Sequence, residues 1–140
     1  MTITTDEIGY IYLNGVQLAN APNYNRYATI DLISLINRMN VIAVKGTNLS
    51  GYGGIIASDS AGTIWTNSSW RCSGTYVAGW ASVGFDDTAW PHARVIDKNG
   101  GPMWGNIASI SADACWIWTS AGTVTNPTDI TVYCRLTLGI

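Results

Sequence analysis

The chain has 140 residues, enough for one domain around a single core, and 47% of them are hydrophobic. Charged residues make up only 11% and the formal net charge is -2, which excludes a disordered chain. The few Lys and Arg are scattered rather than clustered, which argues against a nucleic-acid footprint, and no apolar run is long enough to span a membrane.

Residues 1–15, MTITTDEIGYIYLNG, alternate like a strand, and no basic region precedes them, so no leader peptide is read there. The protein is either leaderless or begins at a mature end with an added Met. Residues 8–19 predict a hairpin: Ile8, Tyr10 and Tyr12, then Val16 and Leu18, flank Asn14-Gly15, the strongest two-residue hairpin signal. Residues 19–27 are a polar loop. Thr29 to Ile36 reads as a strand entering a turn at Asn37-Arg38, with a short helical turn as the alternative over 34–39. Asn40 to Lys45 is a buried strand, followed by the glycine-rich loop TNLSGYGG. GIIAS and TIWT are two short strands joined near Ser60-Ala61-Gly62.

The stretch from Thr66 to Trp90 is aperiodic and holds three of the seven tryptophans. Its spacing suits a strand running into a compact turn, with each indole filling core where it lands and each N–H needing a partner. Asp86 or Asp87 is expected to accept backbone N–H groups of a short turn through Ala89 and Trp90. Ala93 to Ile96 is a further strand, and residues 97–106 form a long irregular loop. ACWIW is a strand, with Trp116 and Trp118 on one face and Cys115 and Ile117 on the other. ITVYCRLTL alternates cleanly and ends the pattern. About eight strands at close spacing predict an all-β fold, an antiparallel β-sandwich in one domain over residues 1–140.

Certain motifs carry a resemblance. Tyr-Leu-Asn-Gly, Asn-Val-Ile-Ala-Val-Lys, Gly-Gly-Ile-Ile-Ala, Thr-Asn-Ser-Ser-Trp-Arg-Cys-Ser, Gly-Trp-x4-Phe-Asp-Asp-x2-Trp, Cys-Trp-Ile-Trp and Val-Tyr-Cys-Arg follow in that order over nearly the whole chain. The set resembles the galactose-binding-domain-like jelly roll of carbohydrate-binding modules, glycosidase accessory domains and invertebrate lectins. Tyr24 and Tyr27 stand where related sequences often carry Trp, and Trp65 and Trp104 fall outside the shared motifs. The resemblance implies a lectin for a neutral sugar, galactose first. It also makes a structural calcium a candidate, with Asp6, Glu7, Asp31, Asp86 and Asp87 as possible oxygen ligands and turn capping as their alternative role. Cys72 and Cys134 both lie in these strand motifs and are expected to pair, leaving Cys115 over. The alternatives are the two pairings through Cys115, or three reduced thiols. The composition is that of secreted β-proteins, and an extracellular location is expected.

Catalysis would need a convergent set of groups, and none is visible. Glu7 is the only Glu, and the adjacent Asp86 and Asp87 diverge, whereas a glycosidase needs two carboxyl groups facing across a cleft. His92, the one histidine, has no Gly-x-Ser-x-Gly partner. Most indoles are expected in the core; Trp104, in a Gly/Pro/Asn loop, either plugs the sandwich end or faces solvent. Up-and-down topology places loops 19–27 and 48–54 at one end, opposite Asn14-Gly15. The sugar site is expected there, drawing on Asn23, Tyr24, Asn25, Arg26, Asn48 and Tyr52, with Trp104 on a third wall. Glycines around Tyr52 leave room for a ligand beside its ring. The chain is expected to form homo-oligomers, since single sugar sites are weak. A structural or adhesive module, or an accessory domain of a glycosidase, is the alternative reading.

Overall fold

A computed structural model describes residues 1–32 and 39–139. The predicted turn at Asn37-Arg38 and the second half of the strand expected over Thr29 to Ile36 lie outside the described residues. Among the described residues ten strands build two antiparallel five-stranded sheets: β1 Thr2–Thr5, β2 Ile8–Leu13, β3 Val16–Ala21, β4 Ala28–Thr29, β5 Met39–Thr47, β6 Ile55–Ser58, β7 Arg71–Ser73, β8 Arg94–Lys98, β9 Cys115–Trp118 and β10 Thr131–Gly139. The first sheet runs β4-β1-β6-β9-β8 and the second β3-β2-β5-β10-β7. Among the described residues there is no helix. The expected all-β sandwich is therefore observed, with ten strands rather than about eight. The difference arises where the chain breaks at Asp6-Glu7, which makes β1 a strand separate from β2; the expected TIWT strand is reduced to a single bridge between Ser58 and Trp65.

The hairpin forms as its turn chemistry dictates. Asn14 and Gly15 both take positive φ, 51° and 85°, the backbone a two-residue β-turn of this twist requires. The Asn14 side chain then accepts from the Val41 N–H at 2.7 Å and donates to Asn40 at 3.0 Å, pinning the start of β5 beside the turn. Along β5 the period of two separates Ile42 and Val44 from Val41 and Ala43. The first pair enters the sandwich core with Ile3, Ile11, Ile55, Trp70, Ile117 and Val132; the second pair faces outward.

Neither outer face is left open along its length. Residues 80–90 lay Trp80, Ala81, Phe85 and Trp90 over Val41, Ala43 and Tyr133 of the second sheet. Residues 104–114 lay Trp104, Ile107, Ile110 and Ala114 over Ile56 and Trp116 of the first. These are the aperiodic stretches of the sequence: they follow no strand or helix period because their apolar residues anchor a covering layer. Trp70 alone of the three indoles between Thr66 and Trp90 reaches the inter-sheet core, and it donates to the Trp65 carbonyl at 3.1 Å.

Arg135 clasps the second layer. It is buried on the outward side of β10, donates to the carbonyls of Phe85 and Ser82 at 3.0 and 3.1 Å, and stands 3.5 Å from the Asp87 carboxylate. Asp86 accepts from the Thr88 N–H at 3.0 Å and the Thr88 hydroxyl at 2.7 Å. The acidic pair therefore splits into a turn cap, as expected, and the counter-charge of a buried guanidinium.

Cys72 and Cys134 face each other across β7 and β10 and are joined as a disulfide, with Cα atoms 4.1 Å apart. Cys115 is a free thiol, raised above the usual thiol range by burial, with the nearby Asp97 and Asp113 adding to it.

Candidate functional site

Strand pairing brings the two expected loops to one end. Gly9 pairs with Ala21 at the end of β3, and Ile8 pairs with Thr47 at the end of β5, so both chains leave the sheet opposite the Asn14-Gly15 turn. Residues 23–26 close a small turn: the Arg26 N–H donates to the Asn23 carbonyl at 3.0 Å and the Asn25 N–H to the Asn23 side chain at 3.0 Å. The side chains of Tyr24, Asn25 and Arg26 are exposed. Asn48, by contrast, is buried and donates to the Gly51 carbonyl at 3.0 Å, which shapes the loop that presents Tyr52. Its Oδ1 is buried with no hydrogen-bond partner.

Trp104 occupies neither of the two expected positions. It lies flat on Trp116 on the outer face of the first sheet, with centroids 4.2 Å apart and planes 22° from parallel. Its indole N–H donates to Asp6 at 2.9 Å, and Tyr52 meets it edge-on at 6.0 Å. Tyr52 remains 38% exposed. The loop 97–106 thus does meet the 48–54 loop, through these two rings.

Of the glycines around Tyr52, Gly51 has nothing within 4 Å of its Cβ position, but Gly53 and Gly54 serve a different purpose from the one expected. A Cβ on Gly53 would strike the Trp118 ring at 2.4 Å, and one on Gly54 would strike Trp116 at 2.7 Å. They admit indoles, not a ligand. Trp116 and Trp118 also do not act together: Trp118 joins the inter-sheet core while Trp116 joins the outer layer.

One short segment ties the parts of this end together. The Thr4 hydroxyl donates to the Asn23 carbonyl at 2.9 Å, and Asp6, two residues on, accepts from Trp104. Asp6 lies in the bend that follows β1, so this one short segment contacts both the 23–26 turn and the aromatic pair. Asp6, expected as a turn cap or calcium ligand, instead accepts from an indole. Its partner is 98 residues away, and no local pattern signals such a pairing.

Burial raises the Asp6 carboxyl above its usual value of 3.8; the Trp104 hydrogen bond works against that rise, and the neighbouring Glu7 adds to it. A raised carboxyl binds a proton more readily in the folded state. Its contribution to stability is fully present below pH 3.8 and is lost as pH rises through the folded value. Asp6→Asn keeps an acceptor for Trp104 and removes that titration. Its unfolding free energy, followed by urea titration from pH 3 to 7, is expected to fall less with rising pH than that of the wild type. A parallel pH profile would refute this.

The acids do not assemble a calcium cage. Asp6 holds Trp104, Glu7 accepts from the Leu49 N–H, Asp86 caps Thr88 and Asp87 faces Arg135. Among the described residues no three His, Cys, Asp or Glu side chains group as metal ligands. Clefts open elsewhere on the surface. One of about 210 Å³ adjoins the disulfide and is lined by Ser73, His92, Thr119 and Asp129. Another of about 200 Å³ lies on the second sheet between Tyr12, Tyr76 and Trp80. Among the described residues no helix is long and apolar enough to cross a membrane.

No family model matches this sequence, and no solved structure matches it significantly. A curated protein does: an alpha-L-rhamnosidase of Streptomyces avermitilis, 26% identical over 129 residues. This chain is similar to one segment of a rhamnosidase. The alignment takes in 81% of this chain but only 12% of the relative, so the chain spans a small part of that enzyme's length.

Proposed function

We propose that this chain is a non-catalytic carbohydrate-binding β-sandwich, of the kind that accompanies the catalytic domain of a glycosidase. The observation that carries the reading is the extent of the match. A piece corresponding to 12% of a rhamnosidase has the size of an accessory module. The engagement of Asp6, Glu7, Asp86 and Asp87 within the chain supports the same reading, since a glycosidase needs two carboxyl groups free to face a substrate. The ligand is a neutral pyranoside. The jelly-roll resemblance favours galactosides and the relative's name favours rhamnosides; either ring offers an apolar face and vicinal hydroxyls. The disulfide fits an extracellular setting.

The sugar is placed at the end of the sandwich described above. Tyr52 supplies the exposed ring, braced by Trp104, and Asn25 and Arg26 supply donors and acceptors for hydroxyls. Asn23, Tyr24 and Asn48 hold or flank these groups. Calorimetric titration with methyl galactoside and methyl rhamnoside is the test, alongside thermal melting. Tyr52→Ala is expected to weaken binding by about 2 kcal/mol with little change in melting, because the ring is half-exposed and braces nothing below it. Hydrolysis of an aryl rhamnoside by the pure chain would overturn the non-catalytic assignment. Absence of any sugar binding would favour an adhesive module.

Self-association belongs to the same proposal. β3 is an edge strand, VQLANA, with no charged residue, and it exposes Val16 and Leu18. An edge without charges invites strand pairing with a second copy. Sedimentation at micromolar concentration is expected to give at least a dimer, and a strict monomer would count against it.

A further inference from the structure

We propose that the outer face of the second sheet carries a second sugar-binding site, a tyrosine-lined cleft that takes a single neutral pyranose ring. The ligand class rests on the carbohydrate-binding reading above; the site does not. Tyr10, Lys45 and Tyr133 form one rung across β2, β5 and β10, and Tyr12 follows on the same face. Tyr76 reaches in from the loop after β7 and meets Tyr133 at 5.8 Å. Trp80 stands edge-on to both Tyr12 and Tyr133, at 5.2 and 5.0 Å, and forms the floor.

The walls are small. Gly15, Gly79 and Ser82 complete a cleft of about 200 Å³ between the rings of Tyr12, Tyr76 and Trp80. Tyr76 is 63% exposed, so its ring offers a face to solvent. Among the described residues, none of the hydroxyls of Tyr10, Tyr12, Tyr76 and Tyr133 is hydrogen-bonded within the chain. Each can both donate and accept, which is what ring hydroxyls need. The Tyr12 hydroxyl is raised above the usual phenol value first by burial and then by the neighbouring Tyr10, Tyr133 and Tyr76.

Aromatic clusters of this kind also attract organic cations. Here the ammonium of Lys45 already lies over the Tyr10 ring, 5.7 Å from its centroid, and repels a second positive charge at this face. A ring with an apolar face and several hydroxyls matches the aromatic faces and free phenol hydroxyls found here.

The test is calorimetric titration of methyl galactoside, methyl rhamnoside and methyl glucoside into the wild type, Tyr76→Ala, Tyr12→Phe and Tyr52→Ala. The wild type is expected to bind the preferred sugar at two sites. Tyr76→Ala should weaken one of them by about tenfold, as loss of a stacking anchor does, and leave the melting temperature unchanged. Tyr12→Phe keeps the ring against Trp80 and removes only the hydroxyl; it should weaken the same site by about threefold. Tyr52→Ala should leave this site intact. If Tyr76→Ala and Tyr12→Phe both bind as the wild type does while Tyr52→Ala abolishes binding, the second site is refuted and the carbohydrate reading stands. If the wild type binds none of the three sugars, both fall.

Discussion

Replacing Cys72 and Cys134 together by Ala is expected to lower the unfolding free energy by about 4 kcal/mol. The two residues are 62 apart in the chain, so the bridge removes a large loop from the unfolded ensemble. Its anchor points are unequal. β10 is nine residues long and pairs on both sides, whereas β7 has three residues, paired to β10 on one side and bridged to Pro91–Ala93 on the other. Both sulfurs are buried, so native protein should resist added reductant and lose the bridge only on opening. Urea midpoints with and without dithiothreitol, compared with those of the double variant, measure the effect. Equal midpoints in every case would show that the bridge adds nothing.

Trp116→Ala is expected to cost about 3–5 kcal/mol of stability, the range for a fully buried aromatic. Its ring packs among Ile56, Ile107 and Ile110 and carries Trp104 on one face. Loss of the ring leaves a cavity under a layer that has no strand hydrogen bonds to hold it. Trp104 then loses its platform, and Tyr52 loses the ring it leans on. Sugar binding at that end should fall with stability, although Trp116 touches no ligand there. The contrast with Tyr52→Ala is diagnostic, because that change should cost binding and spare the fold. Trp116→Phe provides a control: the indole N–H is buried without a partner, so its removal recovers part of what the lost volume costs. Urea unfolding of the variants decides, and a Trp116→Ala protein as stable as wild type would refute the packing argument.

Much of this architecture can be read from local pattern. Asn14-Gly15 announces its hairpin because only certain residues accept positive φ. β10 declares itself through alternation and β5 through an unbroken apolar run, since one face of β5 enters the core and the other lies under the covering layer. Cys72 and Cys134 sit on strands that the motifs mark. The candidate site is less legible. Trp104 falls in a loop whose composition fits solvent exposure, yet its partners Asp6 and Trp116 come from other parts of the chain. Gly53 and Gly54 read as space for a ligand because a sequence does not say which ring approaches a missing Cβ. The tyrosine rung is harder still: Tyr10, Tyr12, Tyr76 and Tyr133 come from three separate segments, and only the sheet register aligns them.

Arg135 and its strand also bear on how the molecule is made. β10 leaves the ribosome after every other strand, yet it sits between β5 and β7, supplies Cys134 to the bridge and clasps Ser82 and Phe85. Until it arrives, the second sheet has a gap, and Trp80 and Trp90 lack Tyr133 and Arg135 to dock on. A nascent chain with all but its last strand therefore displays two indoles and two unpaired strand edges, the kind of surface that chaperones cover. Insertion of one strand then closes the sheet, seats the aromatic layer and brings the two thiols together in a single late event.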